Sequence, residues 1–315
     1  MVRASFPDQS WLADVGPIPG IDAVVWNLTD PPPTDNIELV IPNYLGAARR
    51  ISAVANVPTV RFVQLLTAGY DGILEKLPEG VAVANAGHLH DDSTSEMALA
   101  LTLAGLRGIP QFVRNQADGT WARPHDWPAL ADRRVLVLGY GSVGRAIVSR
   151  LLPFKAEVTA VASRARPGDD LVDRVHGTDE LPTLLPLAQV VIVVVPLSDA
   201  TRGLVGDDFL AALPDGALVV NVARGPVADT EAVLRHTDRL AFALDVTDPE
   251  PLPAEHPLWR APNVLISPHV GGMSTAMRPR AIQLLREQLG RIGRGEEPSH
   301  LVRGEFKRGQ FSAIN

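Results

Sequence analysis

From residue 134 onward, short apolar runs recur with helix-compatible segments between them. Six of them, at 135–138, 158–161, 190–195, 218–222, 240–246 and 264–266, have apolar residues at adjacent rather than alternate positions, interrupted only by Thr159, Asn221 and Asp245. Successive side chains of a strand point to opposite faces of its sheet, so a run apolar throughout predicts a strand covered on both sides. Six such strands alternating with helices predict a doubly wound parallel α/β sheet. Residues 1 to about 90 repeat the rhythm on a smaller scale, with candidate strands at 3–6, 23–26, 39–41, 61–65 and 81–84. That is a second, smaller α/β unit.

Between the two, Ser93-Thr94-Ser95-Glu96 has the Ser-x-x-Glu spacing of a helix capping box, and the apolar run 97–106 comes directly after it. A long connecting helix is expected to start near residue 94. A polar stretch from Asn115 to Trp121 and then Trp127 comes next, with exposed-looking tryptophans. Residues 278–292 again have helical spacing and are expected to cross back to the first unit, making it discontinuous in sequence.

Composition narrows the chemistry. At 315 residues, 46% of them hydrophobic, the chain suits about two domains, each able to bury about two thirds of its unfolded surface. The absence of cysteine removes disulfides, thiolate metal sites and cysteine nucleophiles. A net charge of −7 argues against coating nucleic acid, which needs clustered positive charge. Lysine occurs only at 76, 155 and 307, so basic charge rests on arginine, which reads as codon usage rather than a binding surface. No apolar run approaches the ~20 residues that cross a bilayer. The first eight residues lack the apolar core of a secretory signal. A cytoplasmic small-molecule enzyme is the expectation, with neither membrane nor nucleic acid as partner.

Gly139-Tyr140-Gly141-Ser142-Val143-Gly144 succeeds the run 135–138 and opens a helix-compatible segment, 145–152. Glycines in this spacing allow a tight turn, close approach of backbone to a pyrophosphate and close packing of helix on strand, with the helix N-terminus facing the anion. After the second strand comes Ser163-Arg164-Ala165-Arg166, with no acid until Asp169. An acid there holds a ribose 2′-hydroxyl, whereas arginine suits a 2′-phosphate, so NADP is expected over NAD, with NAD still possible. If Arg164 and Arg166 are only solvated surface charges, that preference disappears.

Three polar residues come just after strand ends on the carboxyl side of the sheet, the edge where open α/β sheets bind ligands. They are Arg224 in Asn221-Val222-Ala223-Arg224-Gly225, Glu250 in Asp245-Val246-Thr247-Asp248-Pro249-Glu250-Pro251, and His269 in Ser267-Pro268-His269-Val270-Gly271-Gly272. A planar guanidinium can clamp a carboxylate while polarising a neighbouring carbonyl. Hydride addition leaves charge on oxygen, which an imidazole oriented by a carboxylate can meet with a proton. Taken singly, Arg224 could be a structural ion pair, Glu250 a surface charge and His269 an ordinary loop residue. Together they read as an active site.

These segments resemble the D-isomer-specific 2-hydroxyacid dehydrogenase family, in particular its glyoxylate and hydroxypyruvate reductases, over about residues 60–285. The nucleotide loop, Asn-x-Ala-Arg-Gly, Asp-Val-x-x-x-Glu-Pro and Pro-His-x-Gly-Gly come in the family's order and spacing. The resemblance implies that Arg224, Glu250 and His269 are catalytic, that Ala223 and Asp245 lie against the nicotinamide, and that Thr94 touches the cofactor. Ser163, Pro196 and Gly271 complete the implied cofactor contacts, and the backbone at Ala68-Gly69-Tyr70 is implied to hold the substrate carboxylate. It further implies a Rossmann cofactor domain at 98–285, and a flavodoxin-like substrate domain at 1–97 with the returning segment 286–315, a cleft between them. A homodimer joined through the arm bearing Trp121 and Trp127 is implied too. The family's usual acid after the second strand is missing here. His88-Leu89-His90-Asp91-Asp92 superficially resembles a metal cluster, but no further ligand run accompanies it and nicotinamide chemistry needs no ion; no metal is expected. The competing reading is a dinucleotide-sensing interaction protein like the corepressors that share this fold, against which the complete Arg, Glu and His set and the lack of an appended regulatory domain argue.

Overall fold

A computed structural model describes residues 1–123, 126–306, 309 and 311. Of the returning segment, Lys307, Arg308, Gln310 and residues 312–315 lie outside the described residues. Strands run in chain order as β1 (Val2–Phe6), β2 (Ile21–Val25), β3 (Leu39–Val40), β4 (Phe62–Gln64), β5 (Ala82–Ala84), β6 (Arg134–Leu138), β7 (Glu157–Ala162), β8 (Arg166–Pro167), β9 (Arg174–Gly177), β10 (Val190–Val193), β11 (Leu218–Asn221), β12 (Ala241–Leu244), β13 (Val264–Ile266) and β14 (Leu301–Arg303). The α-helices are α1 (Gln9–Val15), α2 (Ala47–Arg50), α3 (Asp91–Leu106), α4 (Ile109–Ala117), α5 (Ser142–Leu151), α6 (Leu181–Leu184), α7 (Asp207–Ala211), α8 (Thr230–Arg235) and α9 (Met277–Gly293).

The chain divides into two compact units, residues 1–90 with 275–315, and residues 91–274. The cuts expected at 97/98 and 285/286 fall inside α3 and α9. A helix packs as one rigid face, so the chain changes unit at helix ends instead. The long connecting helix also begins earlier than the capping-box spacing predicts, at Asp91 rather than near 94. Ser93 is not its cap; its hydroxyl meets that of Ser274 at 2.6 Å. Past Leu106 the helical path breaks at Gly108 and resumes as α4.

In the larger unit the strand order is β13-β12-β11-β10-β6-β7-β9-β8, parallel except for β8. This is the doubly wound dinucleotide-binding order, reversing direction between β6 and β10. The consecutive apolar residues divide between two cores. Leu136, Leu138, Val191 and Val193 face one, and Val135, Val137, Val190 and Ile192 the other, all fully buried. Each such side chain contributes about 1.5–3 kcal/mol of transfer free energy. The sequence predicts six strands here; β8 and β9 are additional.

The smaller unit has the order β14-β5-β4-β3-β1-β2, parallel but for β14. Its parallel part, 2-1-3-4-5, is the flavodoxin-like order. Helix α9 packs Ala281, Leu285 and Leu289 into this unit's core beside Phe6 and Phe62. A buried polar cluster joins the early and late parts of the chain. Gln288 Nε2 donates to Gln64 Oε1 at 2.9 Å and to the Ser299 carbonyl at 2.8 Å, while Ser299 N–H donates to Gln288 Oε1.

Candidate active site

The nucleotide loop lies over the junction of β6 and β10, where the sheet reverses. Gly139 has φ +114°, and a Cβ there would sit 2.8 Å from the Val194 backbone; one on Gly144 would run into the Gly139 carbonyl. A Cβ on Gly141 would meet nothing within 4 Å. The loop is thus tight against the protein and open on its outer side, where α5 begins with Ser142 and Val143. That fits a dinucleotide, whose pyrophosphate needs close backbone approach and a helix N-terminus.

Beyond β7, Ser163, Arg164 and Arg166 are all exposed. Arg166 Nη2 donates to the Tyr140 carbonyl at 2.8 Å, and its guanidinium lies 5.9 Å from the centre of the Tyr140 ring. Arg166 is therefore held against the nucleotide loop. An acid does reach the loop: the Tyr140 hydroxyl donates to Asp169 at 2.9 Å, and Arg145 Nε at 3.1 Å. The Asp169 carboxyl is lowered below its ordinary range by the backbone N–H of Leu171, by Tyr140 and by Arg145, while burial and Asp169 push the Tyr140 phenol up to about 12. The charge of Asp169 is thus already met by the protein's own donors.

On the carboxyl edge of the larger sheet, Glu250 and His269 come together. His269 Nδ1 lies 2.7 Å from Glu250 Oε1. A carboxylate only accepts, so Nδ1 carries the hydrogen and Nε2 is the nitrogen left to exchange a proton. Both side chains remain 42% exposed, so the pair orients an imidazole more than it stabilises the fold.

The backbone at His269 is left-handed, φ +55°, at a cost of about 1–2 kcal/mol for a residue with a Cβ. Asp245 holds it there. This buried carboxylate accepts from Ser267 Oγ at 2.6 Å, Val270 N–H at 3.0 Å and Gly271 N–H at 2.8 Å, and its own carbonyl accepts from His269 N–H at 2.7 Å. Gly271 is buried in that grip.

Arg224 is half-buried after β11, and its Nη1 donates to the Ala223 carbonyl at 2.7 Å. Buried Asn221 shapes the turn, accepting from Ala223 N–H at 3.0 Å and donating to the Arg224 carbonyl at 3.2 Å. Gly225 lies so close to the Thr247 carbonyl that a Cβ would collide with it. The Thr230 hydroxyl, at the start of α8, donates to the Asp248 carbonyl at 2.6 Å. The Arg224 turn and the loop leading to Glu250 therefore brace each other. Ala223 is buried, Thr94 is half-buried on α3, and Pro196 is exposed with its carbonyl taken by Thr201.

In the smaller unit, Asn85 Nδ2 donates to the Ala68 carbonyl at 2.8 Å and Thr67 Oγ1 to the Gly69 carbonyl at 2.7 Å. In a trans peptide the N–H opposes the C=O, so the Gly69 and Tyr70 N–H groups face away from those partners. Asn85, Thr67, Asn221, Ser267 and Tyr140 are the site-shaping residues that sequence reasoning missed. An Asn or Ser just past a strand is a weak signal by itself. Among the described residues no group of three or more His, Asp or Glu is placed to hold a metal, and no helix is long and apolar enough to cross a membrane.

Residues 99–271 match the family profile of the D-isomer specific 2-hydroxyacid dehydrogenase NAD binding domain. The chain is 29% identical over 259 residues to a glyoxylate reductase of Thermofilum pendens, covering 79% of this chain and 76% of that one. It is 28% identical over 299 residues to a glyoxylate reductase/hydroxypyruvate reductase of Mus musculus, covering 88% and 89%. The crystal structure of a D-isomer specific 2-hydroxyacid dehydrogenase from Xanthobacter autotrophicus Py2 in complex with NADPH and MES matches with a TM-score of 0.80 at 29% identity, over 96% of this chain and 98% of that one.

Proposed function

The chain belongs to the D-isomer specific 2-hydroxyacid dehydrogenase family of NAD(P)-dependent oxidoreductases, and on that premise we propose that it reduces small 2-oxo acids such as glyoxylate or hydroxypyruvate with NADPH. The observation that carries the reading is the 2.7 Å contact between Glu250 and His269, because a protein that merely senses a dinucleotide has no use for an oriented proton donor. When bound, the nicotinamide supplies the hydride. His269, protonated on both ring nitrogens, gives the proton on Nε2 to the substrate's carbonyl oxygen as charge develops there and is left as the Nδ1–H tautomer, whose hydrogen Glu250 accepts. Arg224 clamps the carboxylate and polarises the ketone. The N–H groups at Gly69 and Tyr70, beside Ala68, are donors suited to a carboxylate.

The larger unit is the dinucleotide-binding domain, Gly139, Gly141, Ser142, Val143 and Gly144 receiving the pyrophosphate. Thr94, Ser163, Pro196, Ala223, Asp245 and Gly271 are further cofactor contacts in this reading. Arg166, already held at the loop, and Arg164 take the 2′-phosphate, and the absence of an acid from Ser163 to Arg166 supports NADPH over NADH. We further propose a cytoplasmic homodimer, formed through the arm at 109–127, where Ile109, Phe112, Val113, Trp121 and Trp127 are exposed, Trp121 at 86%.

The test is a panel of 2-oxo acids of increasing side-chain size, assayed with NADPH and with NADH by loss of reduced-nicotinamide absorbance. Turnover of the smallest acids with a preference for NADPH is expected. Dinucleotide binding without turnover of any acid would replace the reductase by the sensor.

A further inference from the structure

We propose that Asp91 is an internal competitor for the cofactor's pyrophosphate and sets how tightly the chain holds its dinucleotide; the inference rests on the dinucleotide reading above. Helix α5 opens at Ser142, and its first intrahelical bond is made by Arg145 N–H to the Gly141 carbonyl. The N–H groups before it lie outside the helical ladder and carry the positive end of the helix dipole. At that end stands one of the protein's own anions: Ser142 Oγ donates to Asp91 Oδ1 at 2.9 Å.

The placement is built into the packing. Asp92, the next residue, pairs with Arg150 in the last turn of α5, so the first turn of α3 is tied to α5 at both ends. A dinucleotide's pyrophosphate brings negative charge to the same helix terminus. Like charges in a partly buried setting repel strongly. A serine hydroxyl has one hydrogen, so Ser142 cannot donate to Asp91 and to a phosphate oxygen together. Asp91 thus holds the Ser142 hydroxyl and opposes the complex, which favours exchange of the cofactor over its retention.

The experiment titrates NADPH into the full chain and into Asp91→Asn, tracking NADPH fluorescence at low and at molar salt. Adenosine 2′-monophosphate, which lacks the pyrophosphate, is measured by displacement. Asp91→Asn is expected to bind NADPH about tenfold more tightly at low salt, with the gap closing at molar salt, where screening reaches within about 3 Å. Adenosine 2′-monophosphate should bind both proteins alike. Asp91→Ser, a second neutral variant, should reproduce the gain. Unchanged or weaker NADPH binding in both variants, or an equal gain for adenosine 2′-monophosphate, would overturn the competition while leaving the dinucleotide reading intact. Failure of every form to bind either NADPH or NADH would overturn that reading, and this inference with it.

Discussion

His269 depends on two carboxylates that do different work. Glu250 contacts the ring, and Asp245 holds the strained backbone beneath it. Removing the ring by His269→Ala is expected to lower kcat by roughly 10²–10⁴-fold, the usual worth of a positioned proton donor, while NADPH affinity stays within about threefold. Arg224→Lys keeps the charge but loses the planar fork, and should cost about 10²-fold in kcat/KM, ~2.7 kcal/mol. Steady-state kinetics paired with NADPH fluorescence titration separates these outcomes; parallel loss of binding and turnover in His269→Ala would take that residue out of proton transfer. Arg224, Glu250 and His269 stand out in the sequence as candidates because each is the kind of group that ketone reduction needs and each comes just after a strand. Asn221, Ser267 and the loop-holding part played by Asp245 are not. Their roles depend on which backbone N–H groups meet them, and side-chain identity does not carry that information.

At the scale of elements, the Arg224 turn and the loop leading to Glu250 touch through a glycine. Gly225→Ala would drive a methyl into the Thr247 carbonyl and displace the segment that ends in Glu250. A drop in kcat together with a stability loss of about 1–3 kcal/mol, the usual range for overpacking, is expected from kinetics and urea unfolding of the same variant. A variant with normal values of both would mean that the two loops are not braced. The strands of both parallel sheets are readable wherever apolar residues run together. Strand β9, Arg174–Gly177, has one fully buried apolar residue, Val175, among polar neighbours, and β8 and β14 are two and three residues long. Such strands exist because an edge offers hydrogen bonds, and periodicity does not register that. The start of α3 departs from its sequence signal for a related reason: Ser93 and Glu96 have the spacing of a cap, but tertiary packing turns Ser93 toward Ser274.

For the whole molecule, the apolar arm at 109–127 leads to an oligomeric expectation. Val113→Asp with Trp121→Ala should convert a dimer into a monomer in sedimentation velocity, and a wild-type protein already monomeric at micromolar concentration would remove the dimer from the proposal. The division of the chain into units is legible in outline from the helical spacing near the C-terminus, though not to the residue, since helix ends rather than composition mark the crossings. Because the smaller unit draws on both early and late residues, its assembly during synthesis is delayed. Gln64 is translated 224 positions before its buried partner Gln288, roughly 10–45 s at ordinary elongation rates. Over that interval the ribosome delivers everything the larger unit requires. The nascent larger unit can therefore fold on its own, while the first ninety residues wait for the last helix to emerge.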